Sequence, residues 1–174
     1  MKTISIVILI ILSFSAKSAN SQNTKVGINI NNKAPNIIGK SPDGTTYQLN
    51  DLQGKLVLID FWASWCGPCR HENPNIVANY KKYKDKKFTN GNGFTIFSVS
   101  LDQNKNSWTN AIEKDSLIWE YHVSDLKGWY AEHAKKYRVN SIPSSFLIDG
   151  NGVIIAKNLR GPMLNKKLET LLEK

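Results

Sequence analysis

Residues 55–69 read KLVLIDFWASWCGPC. The first eight form an apolar run rich in β-branched and aromatic residues, the pattern of a strand buried on both faces. Asp60 is the one acid inside that run. Beyond it, from Gly67 to about Lys84, the apolar residues Ile76, Val77, Tyr80 and Tyr83 recur at helical spacing. The stretch therefore predicts a buried strand that passes directly into a helix. Cys66, Gly67, Pro68 and Cys69 fall at the junction. Pro68 lies in the first helical turn, where its missing N–H costs nothing. Pro74 sits inside the helix and is expected to kink it.

The junction is where chemistry is expected. Backbone N–H groups at a helix start lack intrahelical partners, and the helix dipole favours negative charge there. A thiolate at Cys66 is stabilised by both effects, so its pKa is expected to fall. Gly67 leaves room for a partner's backbone to approach the sulfur. Cys69 follows one turn later and faces inward beside Cys66, so the pair can close a small disulfide ring. The expected cycle is thiol–disulfide exchange: Cys66 attacks a disulfide, and Cys69 then attacks Cys66 and releases the reduced substrate. The reverse direction oxidises a dithiol. A zinc site would need two more ligands, with only His71, His122 and His133 on offer and His71 alone nearby in sequence. A purely structural bridge would staple a four-residue loop, which constrains the unfolded chain little.

The rest of the chain frames this junction. Its 174 residues suit one domain, long enough to hold a fold without staples. Two cysteines rule out a disulfide-dense scaffold and a four-cysteine zinc site. Residues 1–21 carry Lys2, an apolar run from Ile4 to Phe14 and then small residues, and read as a secretory signal. Cuts after Ser18 and after Ser21 both fit, and the second is favoured. The apolar run is too short for the roughly 20 residues that span a bilayer. Cleavage after Ser21 lowers the formal charge by two, from +9 to +7. The lysines are scattered apart from the cluster Lys81, Lys82, Lys84, Lys86 and Lys87, which reads as a solvated helix face. No nucleic-acid partner is expected.

Residues 22–33, rich in Asn and Lys, are expected to be a flexible leader. Residues 36–38 and 45–49 flank a turn signal at 41–44 and predict a hairpin. Residues 91–93 (GNG) read as a turn and 94–101 (FTIFSVSL) as a second buried strand. A helix is expected over 108–114 with Ser107 or Asn106 as its cap, and another over 128–137. Residues 119–123 are ambiguous. Strands over 145–148 and 153–157 are joined by the turn Asp149–Gly150–Asn151–Gly152. Residues 164–173 form an amphipathic last helix. The succession predicts an α/β fold with a central mixed sheet flanked by helices.

With FWASWCGPCR at 61–70, the chain resembles the thioredoxin superfamily. Cys69-Arg70-His71-Glu72-Asn73-Pro74 and the stretch 139–152 (VNSIPSSFLIDGNG) resemble its exported TlpA/ResA-like branch of thiol–disulfide oxidoreductases, redoxins related to AhpC/TSA. The resemblance spans residues 34–174, read as one thioredoxin-like domain. It implies a thioredoxin fold with an N-terminal β-hairpin and a helical insertion between Leu101 and Val139. It also implies that Cys66 is the nucleophile and Cys69 the resolving cysteine, joined as a redox-active disulfide with no other cofactor. Pro143 matches the cis-proline against the disulfide, and Ile142 would offer backbone groups to an extended substrate. Trp65, Gly67 and Pro68 would form the docking surface, and Trp62 would lie in the core.

Asp60 matches a buried acid beneath the second cysteine. Burial should raise its pKa, so that it takes the proton from Cys69. Thioredoxins proper carry a lysine near that acid, and Ser98 stands in its place. Glu72 matches an acid of the branch with either a structural or a tuning role. The implied partners are protein dithiols and disulfides and a membrane electron donor, as in cytochrome c biogenesis, with action in the periplasm or cell envelope as a monomer and as a reductant. A thiol peroxidase of the same fold needs a proline and a hydroxyl upstream of its cysteine, where Ile59 and Ala63 stand. A non-catalytic scaffold of this fold usually loses a cysteine, and both are kept.

Overall fold

Hydrophobic runs and amphipathic stretches alternate along residues 24–174, which the computed structural model describes, and each becomes a strand or a helix. The expected signal segment, residues 1–21, lies outside the described residues. β1 (Ile38–Lys40) and β2 (Thr46–Gln48) pair antiparallel as the expected hairpin, the first strand lying two residues later than expected and the second within its expected range. At its turn the Asp43 carboxylate accepts the Thr45 N–H at 2.9 Å and the Ser41 hydroxyl. Gly44 supplies the positive φ of 94° that this turn requires.

β3 (Leu56–Trp62) is buried at all seven positions and runs into α1 (Gly67–Tyr83). Pro74 lies within α1 on an exposed face. Residues 86–93 hold a small hairpin of β4 (Lys87–Phe88) and β5 (Gly91–Asn92), where a simple turn is expected. β6 (Phe94–Ser100) is again buried throughout. α2 (Lys105–Lys114) begins three residues before its expected start. Its cap is Asn104, whose side chain accepts the Ser107 N–H at 3.0 Å. Ser107 thus lies inside the first turn as the donor and is not the cap.

The ambiguous stretch 119–123 contributes β7 (Tyr121–Val123). The single helix expected over 128–137 is two pieces, a 3-10 turn Gly128–Tyr130 and α3 (Glu132–Lys136). They are separated by Ala131, which is extended at φ −51°, ψ 132°. Asp125 explains the break. Its carboxylate accepts the N–H of Lys127 and of Glu132, each at 3.1 Å, so it caps the second piece from upstream. β8 (Ser144–Ile148), β9 (Ile154–Lys157) and α4 (Pro162–Leu171) complete the chain.

Five strands form one mixed sheet in the order β7-β6-β3-β8-β9. β7, β6 and β3 are parallel, and β8 and β9 are antiparallel to their neighbours. Side chains alternate across a sheet. Phe61 therefore meets Tyr137 and Phe146 on the α3 face, while Asp60 faces the opposite side, where α1 packs with α4. This is the thioredoxin fold.

Residues 24–33, expected to be flexible, are folded. The Asn31 N–H donates to Ile154 O at 2.8 Å, the Ile154 N–H donates to Asn32 O at 2.9 Å, and the Lys33 N–H donates to Lys25 O at 3.0 Å. Their backbone extends the β9 edge, and the Asn32 side chain accepts the Asn29 N–H at 3.2 Å, which a composition-based reading does not register.

Candidate active site

β3 ends at Trp62, and residues 63–66 turn the chain into α1. The turn is held from β6 and α2. The Asp102 carboxylate accepts the Ser64 N–H at 2.9 Å and the Ser64 hydroxyl. Arg70 donates to Ser64 O at 3.1 Å and forms a two-point ion pair with Asp115, the residue that ends α2. Asn73 also donates to Asp115, at 2.7 Å. Burial alone would push the Asp115 pKa up. The hydrogen bonds from Arg70 and Asn73 outweigh it and hold Asp115 below the ordinary carboxylate value.

Cys66 is the N-cap residue of α1. It is joined to Cys69 as a disulfide, with Cα atoms 5.3 Å apart. Cys66 Sγ accepts the Cys69 N–H at 3.2 Å. The sulfur thus occupies the place of a capping oxygen, where orphan amides and the helix dipole favour negative charge. Gly67 and Pro68 are exposed beside it, and Trp65 is half exposed at 54%. Trp65 stacks obliquely on Trp129 with ring centroids 6.0 Å apart. Tyr130 follows at 74% exposure. Trp62, by contrast, is fully buried.

The other side of the pair is built from β8 and β9. The Ile142–Pro143 bond is cis. Ser144 pairs with Phe61, so the preceding Pro143 sits at the end of β3 from which the cysteine turn departs. Arg160 donates through Nη2 to Pro143 O. The Glu72 carboxylate accepts the Gly161 N–H at 2.8 Å and the Asn75 amide at 2.6 Å. The segment between β9 and α4 therefore ties α1 to the proline loop.

Asp60 is buried on the α1 face of β3, between Ser98 of β6 and Ser145 of β8 in register. Its carboxyl has no hydrogen-bond partner among the described residues. Burial, and secondarily the charge of Glu72, push its pKa up to about 7, with Arg160 offsetting part of the rise. Ser98, where a lysine stands in thioredoxins proper, accepts the Trp119 indole N–H at 3.0 Å. Its hydroxyl oxygen is thus held by Trp119. His122 and His133 point Nε2 at backbone carbonyls, of Leu117 at 3.1 Å and of Ile38 at 2.8 Å, and His71 is exposed.

The structure thus gathers Cys66, Cys69, Pro143, Asp60 and Glu72 around one end of the sheet, with Trp65, Gly67, Pro68 and Ile142 at the rim. The sequence reading missed Asp102, Asp115, Trp129 and Arg160. The only available signal was Arg70, a cation just after the cysteines that required an acid from elsewhere.

A protein-family model described as the AhpC/TSA family matches residues 30–157. The thiol-disulfide oxidoreductase ResA of Bacillus thuringiensis subsp. konkukian is 33% identical over 145 residues, covering 83% of this chain and 78% of that protein. The thioredoxin-like protein YneN of Bacillus subtilis is 33% identical, covering 86% of this chain and 82% of that one. The crystal structure of the thioredoxin domain of a thiol-disulfide oxidoreductase from Bacteroides vulgatus superposes with a TM-score of 0.73 at 35% identity. It covers 84% of this chain and 98% of that structure.

Proposed function

The chain belongs to the AhpC/TSA family as a TlpA/ResA-like thiol–disulfide oxidoreductase of the thioredoxin superfamily, and from that premise we propose that it reduces protein disulfides outside the cytosol. The observation that carries the chemistry is Cys66 Sγ at the cap of α1, receiving the Cys69 amide at 3.2 Å. The same dipoles that cap the helix in the disulfide form favour a thiolate in the reduced form.

In the reduced enzyme, Cys66 thiolate attacks one sulfur of a client disulfide. A mixed disulfide forms, and the client's other sulfur leaves as a thiolate that takes up a proton. Asp60 receives the proton of Cys69. The Cys69 thiolate then attacks Cys66 Sγ, the mixed bond breaks, and the second client sulfur departs. Two electrons pass from the enzyme to the client, and the Cys66–Cys69 bond is formed. A dithiol donor at the membrane must then reduce that bond. Trp65, Gly67, Pro68 and the backbone of Ile142 receive the client chain. The apolar, signal-like residues 1–21 support action in the periplasm or envelope.

The reduction potential of the Cys66–Cys69 couple, measured in dithiol redox buffers, tests the direction. A reductant is expected near thioredoxin's value of about −270 mV. A value near about −120 mV, that of a strong oxidant, reverses the assignment.

A further inference from the structure

Beside Pro143 the surface opens into a cavity of about 260 Å3. That is below the roughly 300–1,000 Å3 of small-molecule sites and suits side chains of a chain lying across it. Arg138, Lys157 and Arg160 line it together with Asn140, Pro143 and Ser144, and none of its described lining residues is acidic. None of the three cations forms an ion pair among the described residues. Lys157 lies over the Phe146 ring, 5.0 Å from its centroid, and Arg160 reaches back to Pro143 O. Arg138 is exposed and held by neither kind of contact.

Arg138 also stands where glycine is usual. It follows the last turn of α3 at φ 51°. The Arg138 N–H donates to Lys135 O at 3.0 Å and the Val139 N–H to Ala134 O at 2.8 Å. This pair of bonds closes a helix with a left-handed residue, a conformation that a Cβ disfavours and glycine adopts freely. Arg138 thus holds this turn with its side chain in solvent beside the cavity, where the guanidinium is open to a partner.

We propose that this cavity is the docking site for acidic side chains of the client protein, next to the disulfide under attack. The proposal rests on the exchange reading above. A client chain extended past Pro143 toward Cys66 carries its neighbouring residues over the cavity. Carboxylates there meet three cations with no competing acid in the wall. Such complementarity acts mainly on encounter and register, and salt weakens it.

The test uses three disulfide peptides that differ only in flanking residues: Glu, Lys or the neutral Gln. The readout is kcat/KM for their reduction by the protein. The Glu peptide is expected to outpace the Lys peptide by about tenfold at ~20 mM salt, with the ratio shrinking at ~300 mM. In the double variant Arg138→Gly, Lys157→Gln the ratio should fall to within about twofold. Arg138→Gly alone should leave the melting temperature unchanged or raised, so a lost preference is not lost folding. Equal rates for the two charged peptides, or a preference that survives in the double variant, overturn the site. If even the Gln peptide is not reduced, the exchange reading fails first, and the docking site with it.

Discussion

The first turn of α1 is flanked by carboxyl groups in opposite surroundings. On the β6–α2 flank, Asp102 and Asp115 are tied up by hydrogen bonds from Ser64, Arg70 and Asn73. On the β3 flank, Asp60 is buried between β6 and β8 without a hydrogen-bond partner among the described residues, and its pKa rises to about 7. Asp115 moves the other way. The same functional group is a brace where donors surround it and holds its proton to higher pH where they do not. In the cycle proposed above the labour divides accordingly: the helix end serves the attacking sulfur, and the buried carboxyl serves the resolving one.

The largest effects should come at the sulfurs, where the flanks meet. Cys66→Ser should reduce insulin reduction with dithiothreitol by on the order of a thousandfold or more. Cys69→Ser should accumulate a mixed disulfide, visible by intact-mass measurement. Full exchange activity in Cys66→Ser would overturn the division.

Asp60→Asn probes the unpartnered acid. It should slow resolution by at least about tenfold while leaving attack nearly unchanged, and stopped-flow tryptophan fluorescence separates the two steps. The inflection near pH 7 in the resolution rate should vanish. Stability gives a second readout. The Asp60 pKa is higher in the folded state, so between pH 4 and 7 the folded state binds more protons, and stability falls as pH rises. Relative to Asp60→Asn, the oxidised wild type should lose up to about 4 kcal/mol over that window in denaturant titrations. Equal slowing of both steps would count against a proton acceptor.

The smallest effect belongs to the braced flank. Asp115→Asn should cost about 1–3 kcal/mol at neutral pH through the weakened Arg70 pair, with the thiol chemistry little changed. Here the folded pKa is lowered. The contribution is therefore present above the unfolded value of about 4 and lost as pH falls below it. A cost that persists unchanged at pH 2.5 would show that the ion pair is not its source.

Much of this was legible without the structure. The continuous apolar runs at 55–62 and 94–101 became the two strands buried at every position, and the cysteines fell at the start of α1. Propensity and periodicity report on neighbours in sequence, and those features are local. The errors also have local causes. Ser107 looked like a cap because nothing nearby shows that Asn104 already reaches its N–H. Residues 128–137 looked like one helix because Asp125, which divides it, lies upstream of the pattern.

By itself, then, the sequence determined the elements and the sulfur pair: a hydrophobic period and a motif at a strand–helix junction are written within a few residues. Only the tertiary structure decided what surrounds the sulfurs. Arg70 meets Asp115 across 45 positions and Glu72 meets Gly161 across 89. The raised Asp60 pKa exists only because burial removes water and brings Glu72 and Arg160 near. Burial, charge proximity and hydrogen-bond supply depend on where the chain returns in space, and no window of neighbouring residues carries that information.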